Sequence, residues 1–473
     1  MVFQVKRIDL ESTLCFFLRA FLFLFPWQTI WIYREIFVDG VKMEYATLGF
    51  YATEILLWAA VVAFIIWYWK KWKMEKSKWK MDFRLTKDRI FIFACLSLIS
   101  YLLISITWSV EKSLALQQSL RVMETFLLFF MFALGPLKFS EAVKWLALGA
   151  VLPSLLAIWQ FFSQSTFAFK WLGLAEHIAS NPGTSVVVGE EIGRWLRAYG
   201  PFSHPNVLGG YAVMVIVLIL IRLKDCKIER LSFYLLISYL LSLISVVFFS
   251  FSRSALLAMG IALLLYCLIV IKQKKFFYLL SPISYLILST IILTALLFPA
   301  LKVRVFTSSS YEVASVAERA RGFNEGWEIF KTNRWLGVGA GNYTAYLQKI
   351  DPTRLPWEYQ PAHNVGLLFL AESGVVGAVL LLLVIISFII YHLSLVRNQE
   401  SGIRNQEIQT DARQRWKIIV VFCYLGFVFC YLILAFLDHY LISSYTGLVL
   451  TGIFWGLVFK SAREVVPNSS TAG

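Results

Sequence analysis

Charged residues are scarce in this chain. Asp, Glu, Lys and Arg make up 15% of its 473 residues, against 59% hydrophobic and 16% aromatic. A soluble globular chain carries about 25% charged and roughly 45–50% apolar residues. With 29 acidic and 44 basic groups the chain cannot coat a soluble core of this size, which argues against a soluble enzyme and against a disordered chain. Acidic residues are the scarcer sign, and the difference, 44 − 29, is the formal charge of +15. In so apolar a chain that excess bears on membrane topology before nucleic acid. Cysteine is rare as well. Cys15, Cys95, Cys267, Cys423 and Cys430 fall in apolar runs and Cys226 in a basic loop, so no disulfide framework is indicated. Cys423 and Cys430 share a helix face, but no histidine or second cysteine pair completes a metal set there.

What is abundant is long apolar sequence. Crossing the hydrocarbon core takes roughly 20 residues per helix, and twelve runs qualify: 12–33, 45–69, 90–110, 119–137, 143–163, 207–222, 231–251, 254–272, 277–300, 364–391, 418–437 and 441–460. The first is too long for a cleaved signal peptide, carries Arg19 and Pro26, and has no small-residue cleavage site behind it. The lysine- and arginine-rich loop 70–89 sets the orientation. Placing it in the cytoplasm puts 222–230, 272–275, 392–417 and the tail after Lys460 on the same side, and all are basic. No basic domain is left over for nucleic acid. The expected architecture is all-α: a polytopic membrane protein of about twelve transmembrane helices, residues 1–463 forming one transmembrane domain and 464–473 a flexible tail, with both termini cytoplasmic.

The loops are unequal. Stretch 392–417, with RNQE at 397–400 and 404–407, reads as a solvated linker. Loops 164–206 and 301–363, on the outer side, far exceed a usual connection, and long ordered loops are where sites are built. The second contains an amphipathic helix pattern, with Val316, Ala320, Phe323, Trp327 and Phe330 at three-to-four spacing.

Ionisable residues in or beside the spans are Arg19, Glu54, Arg121, Glu124, Arg253, Glu372 and Asp438; an intramembrane charge marks a function by default. Arg253 stands in a tight outer connection, FFSFSRSALL, where the charge rule disfavours arginine. Loop 164–206 ends in RWLRAYGPFSHPNVLGGY, with Arg194 and Arg197 followed by His204 and Asn206, which can also cap the next helix. His363 precedes Asn364, the expected cap of the tenth span. The glycines of WLGVGAGNY (335–343) could cradle phosphate, but no strand precedes them and no Lys-Ser/Thr follows, so a tight turn is expected.

Taken in order, GPFSHPNVLGGY, FSFSRSALL, the loop helix running into NRWLGVGAGNY, and HNVGLLFLAESGVVG resemble the O-antigen ligase and polymerase superfamily over roughly residues 90–460. One departure is Asn333–Arg334, where relatives often have Asn-Pro. The resemblance implies a GT-C-like enzyme of the bacterial inner membrane, with its large extracytoplasmic loop between helices nine and ten. It would move a glycan from undecaprenyl diphosphate to an acceptor hydroxyl, such as a sugar of the lipid A core.

Such chemistry needs cations on the diphosphate and a base or orienting acceptor for the hydroxyl. Arginine's planar fork suits the first and neutral histidine the second. Arg197 and Arg253 are the expected cations, Arg319 or Arg321 a weaker third, and by resemblance His363 matches the catalytic loop histidine. Arg194, His204, Asn206, Asn364 and Asp438 are weaker substrate-binding candidates. No acidic triad or histidine cluster is visible in the sequence, so no metal and no cofactor are expected. Polymerisation of lipid-linked units or transfer to protein would use the same residues. A transporter would instead show midplane charges or broken, inversely repeated helices.

Overall fold

The computed structural model describes residues 9–38, 40–76, 87–181, 183–223, 230–271, 276–306, 310–404, 426 and 428–464. Helix α1 (Leu10–Leu24) leads into strand β1 (Ile30–Arg34), a short pair β2 (Phe37–Val38) and β3 (Val41–Lys42), and strand β4 (Leu48–Tyr51). Helices α2 (Ala52–Lys76), α3 (Lys87–Ile104), α4 (Lys112–Leu134) and α5 (Phe139–Ser163) follow. Next come β5 (Val186–Gly189), β6 (Gly193–Leu196), α6 (Pro205–Leu223), α7 (Arg230–Phe249), α8 (Arg253–Ile271) and α9 (Phe276–Leu296). Then α10 (Phe298–Phe306), α11 (Ser310–Thr332), α12 (Tyr343–Ile350) and α13 (Val365–Arg404) are followed by α14 (Val428–Leu437), α15 (Tyr440–Ser443) and α16 (Tyr445–Glu464).

The chain is mostly helical, as a polytopic membrane protein should be. Six of the described helices are long and apolar enough to cross a membrane, or seven if the bent pair Ser284–Leu296 and Phe298–Phe306 is one span. Leu235–Phe249, Arg253–Leu268 and Val428–Leu437 are apolar but shorter among the described residues. Much of 405–427, where the eleventh expected span begins and the linker 392–417 ends, lies outside the described residues, as do 1–8 and 465–473.

Helix α6 forms the centre. Its apolar residues leave no polar face, so it is buried nearly all round, against α5, α7, α8 and α16. Helix α16 is also largely buried, whereas α2, α3, α5 and α13 expose apolar side chains outward, as lipid-facing helices do: Val379, Leu382, Leu383 and Ile386 of α13 are all exposed.

The structure corrects the sequence pattern in three places. The expected first span, 12–33, is helical only to Leu24, because Pro26 cannot donate to the helix and residues 30–34 pair with β4 instead. Among the described residues three two-stranded antiparallel sheets (β1–β4, β2–β3 and β5–β6) decorate the helices, so the fold is not purely α. The tenth span is broken at Gly374, whose φ of 61° is left-handed. Stretch 335–343 docks into that break: the Val338 and Gly339 N–H groups donate to the Ala371 and Glu372 carbonyls, and Val375 N–H donates to the Arg334 carbonyl. A Cβ on Gly374 would lie 2.3 Å from the Trp335 carbonyl oxygen. Only glycine permits both that conformation and that approach.

Candidate active site

The turn between α7 and α8 organises the site. It is tight, and Phe251 adopts a left-handed φ of 45°. This leaves consecutive carbonyls at the end of α7 without helical partners, the negative end of the helix dipole. Each finds a donor. Phe249 oxygen accepts Ala198 N–H at 2.9 Å, Ser250 oxygen accepts Arg197 Nε at 2.8 Å, and Phe251 oxygen accepts Arg304 Nε at 3.2 Å. Arg197 and Arg304 are both buried.

From Arg197 a hydrogen-bonded chain runs inward. Its Nη2 donates to Asn206 Oδ1 at 2.5 Å, and Asn206 Nδ2 donates to Asp438 Oδ2 at 2.6 Å. Asp438 Oδ1 accepts the His439 backbone N–H at 2.9 Å and faces His363 Nδ1 at 3.7 Å. The His363 and His439 rings stand 4.8 Å apart. His204 rather than Asn206 serves the start of α6, its Nδ1 accepting Asn206 N–H at 3.1 Å. Asn364 caps α13 as its sequence position suggests, its Oδ1 accepting Leu367 N–H at 2.8 Å.

The electrostatics follow from burial. Burial alone would raise the Asp438 carboxyl, but the imidazole of His363 and the neighbouring histidines outweigh it and hold the group well below the usual carboxylate range. Burial, then the charge of His363, pushes His439 down to about 3. Burial and the Arg197 guanidinium do the same to His204, also to about 3. The site therefore presents an ionised Asp438 near the neutral imidazoles of His204 and His439.

Beside this chain sits a cluster of arginines around one buried carboxylate. Glu312, at the start of α11, takes Arg304 Nη1 on both oxygens at 2.6 and 2.8 Å, with Arg253 Nη2 at 3.4 Å. Arg253 Nε and Nη2 are shielded from solvent yet make no hydrogen bond to the protein, and neither does His363 Nδ1. Arg319, one turn of α11 and more beyond Glu312, lies within electrostatic reach of Asp438, Arg304 and Glu312. Shielded donors without protein acceptors are uncommon and point to a ligand.

Residues 238–382 match the family model described as O-Antigen ligase. That stretch, under a third of the chain, is similar to the O-antigen ligase superfamily. No curated protein matches it. The matched region runs from α7 into α13 and so contains Arg253, Arg304, Glu312, Arg319 and His363, whereas Arg197, Asn206 and Asp438 reach the same place from outside it. A glycan-transferring function of the ligase or polymerase type goes with that family.

Of the residues singled out in the sequence, the fold brings together Arg197, His204, Asn206, Arg253, Arg319, His363, Asn364 and Asp438 around this candidate site. Arg321 points elsewhere, pairing with Glu358 at 3.5 Å on the exposed side of α11. Arg194 is held by the carbonyls of Ala179 and Asn181 and stacks on Tyr311. Arg304 and Glu312 were not legible, because nothing in LKVRVF or SSSYEV marks them; only the fold makes them partners. The glycine run is not free for phosphate: Glu372 accepts the N–H of Gly341 at 2.9 Å and of Tyr343 at 3.4 Å.

Two further features border the candidate site. A cavity of about 270 Å³ is lined by Tyr45, Gln118, Arg121, Ser203, Pro361 and Ser443 among others. Two of its lining residues neighbour His439, whose ring lies 5.5 Å from that of Tyr45 and whose Nδ1 is 2.6 Å from Ser443 Oγ. Secondly, His363, Asp438 and His439 offer ligand atoms within 4.8 Å of one another and could hold a divalent cation. The sequence shows no such cluster because Asp438 and His439 lie far from His363 along the chain. Both Asp438 oxygens already accept N–H groups, and Arg319 lies within electrostatic reach of Asp438.

Proposed function

We propose that this protein transfers a glycan from undecaprenyl diphosphate to an acceptor hydroxyl at the outer face of the bacterial inner membrane, acting as an O-antigen ligase on a lipid A core or similar surface acceptor. The observation that carries this is the meeting of two sets: Arg253, with shielded donors that make no hydrogen bond to the protein, beside Arg319, and the chain Arg197–Asn206–Asp438–His363.

In this scheme Arg253 and Arg319 hold the diphosphate, and their interaction strengthens as its oxygen gains charge on leaving. Arg304 locks Glu312, which keeps Arg253 in place. The acceptor sugar approaches past the cavity beside His439. Its hydroxyl oxygen attacks the anomeric carbon, the bond to the diphosphate oxygen breaks, and the proton passes to His363. Asp438 orients the imidazole and balances the charge it gains. One in-line displacement inverts the anomeric centre. Arg197 acts through Asn206, because its Nε and Nη2 are already given to protein acceptors. No step requires a metal.

The break in α13 would suit a transporter, but it is filled by 335–343 and its carboxylate is satisfied. Purified protein with a fluorescent undecaprenyl-diphosphate glycan and a lipid A core acceptor should give transfer in EDTA. Loss on chelation would sink the metal-free scheme. Extension of the donor glycan itself, or labelling of a protein acceptor, would move the assignment to polymerisation or protein glycosylation.

A further inference from the structure

The apolar stripe of α11 raises a question that its sequence does not. Val316, Ala320, Phe323, Trp327 and Phe330 have the spacing of a core-facing helix, yet Val316, Phe323 and Trp327 are exposed at 44%, 54% and 45%. The helix buries another edge instead, formed by Glu312, Gly322, Gly326 and Ile329. At about 100° per residue, α11 therefore has three edges. One, carrying Arg319 at its border, is packed on the protein; the next is exposed and apolar; the third, with Arg321, Asn324 and Glu328, is exposed and polar.

Both ends of α11 are fixed at the level where spans end. At its start Glu312 holds Arg304 and faces Arg253, the first residue of α8. Further along, Tyr343 donates its hydroxyl to the Gly322 carbonyl at 3.1 Å, and Gly326 lies against Ala362 and Leu367 at the head of α13. A Cβ on Gly326 would come within 3.0 Å of Leu367, so the small residues are what let the helix lie flat there. Other exposed apolar side chains lie before it in the chain. After α9 the chain turns by 80°, and Leu296, Phe298, Val305 and Phe306 are exposed up to Tyr311, Val313 and Val316.

We propose that α11 is an interfacial helix whose Val316–Phe323–Trp327 edge is seated in the surface of the phospholipid bilayer. A helix with one polar and one aromatic-rich apolar edge lies in the interface plane, apolar side down, and tryptophan favours that depth. The polar edge then faces water, and the packed edge keeps Arg319 at headgroup height. That last consequence rests on the transfer proposed above, because headgroup height is where a lipid-borne diphosphate arrives. The lipid contact itself is tested without turnover.

The test uses the full-length protein reconstituted in phosphatidylethanolamine–phosphatidylglycerol vesicles, with Phe323→Cys, Trp327→Cys and Glu328→Cys variants each carrying an environment-sensitive fluorophore. Unsubstituted protein taken through the same labelling supplies the background from native cysteines. Positions 323 and 327 should be quenched severalfold more by lipids bearing a nitroxide near the headgroup than by aqueous iodide, and 328 the reverse. Iodide quenching of all three positions alike would put the edge in water and overturn the proposal. Shielding of 323 and 327 from both quenchers would mean that a protein, or a second copy of the chain, covers the edge, and would overturn it equally. Val316→Cys, on the same edge, decides the matter should either aromatic replacement misfold. Failure of glycan transfer in the same vesicles would count against the proposed function and leave the quenching result standing.

Discussion

Replacing Asp438 by asparagine isolates the charge that the site places behind His363. The substitution keeps size and shape but removes the carboxylate 3.7 Å from His363 Nδ1. If His363 takes the hydroxyl proton, it becomes positive as the bond to the diphosphate breaks, and Asp438 is its nearest counter-charge. Two unit charges about 4 Å apart attract by about 4 kcal/mol at an effective dielectric near 20. The proton is only partly transferred at the transition state, so about 3–4 kcal/mol is at stake, or roughly a 10²–10³-fold fall in kcat. Asparagine would also turn a donor toward Asn206 Nδ2, which now donates to Asp438 at 2.6 Å. For that reason the variant's melting temperature is measured alongside the rate. The assay is transfer of a fluorescent undecaprenyl-diphosphate glycan by purified protein, for Asp438→Asn, His363→Ala and the double variant. Because Asp438 acts through His363, the double variant should be no slower than His363→Ala alone. A well-folded Asp438→Asn with near-normal kcat, or effects that multiply in the double variant, would refute the pairing.

Two further outcomes concern stability. Glu372→Ala strands the Gly341 and Tyr343 N–H groups and should lower stability by about 1–3 kcal/mol, with Glu372→Gln milder and Gly374→Ala also destabilising, all read as melting temperature in detergent; unchanged values would mean that the 335–343 stretch does not brace the break in α13. His204 and His439 stay neutral in the fold down to about 3. Unfolded histidine takes up its proton near 6.5. The unfolded chain therefore binds more protons between those values, and stability should fall as pH drops from neutral toward about 5. Asp438, whose folded value is depressed, adds its loss only at still lower pH. A melting temperature that is flat over the first range would contradict the buried neutral histidines.

How much of this was legible beforehand differs from element to element. The apolar runs gave the membrane class and most helix positions, since a span needs a continuous apolar stretch wherever it packs. They overran at 25–33, where Pro26 ends the helix inside an apolar run, and at Gly374, where composition cannot show a break. Arg253 and His363 stood out because each is a polar residue at a boundary that disfavours or rarely carries it. Asp438 was visible only as a weak candidate, and Arg304 and Glu312 not at all. Their roles depend on partners in other elements, and no local pattern records which distant residue a side chain will meet.

The amphipathic pattern of α11 draws the same line most sharply. The sequence by itself determined that the segment is a helix with an apolar edge, because spacing of three to four is a property of the chain alone. Whether that edge turns inward or outward was decided by the tertiary structure. Gly322 and Gly326 allow the closest approach to α13, and Glu312 is held by Arg304, so those residues take the buried edge and the larger apolar side chains are left facing out.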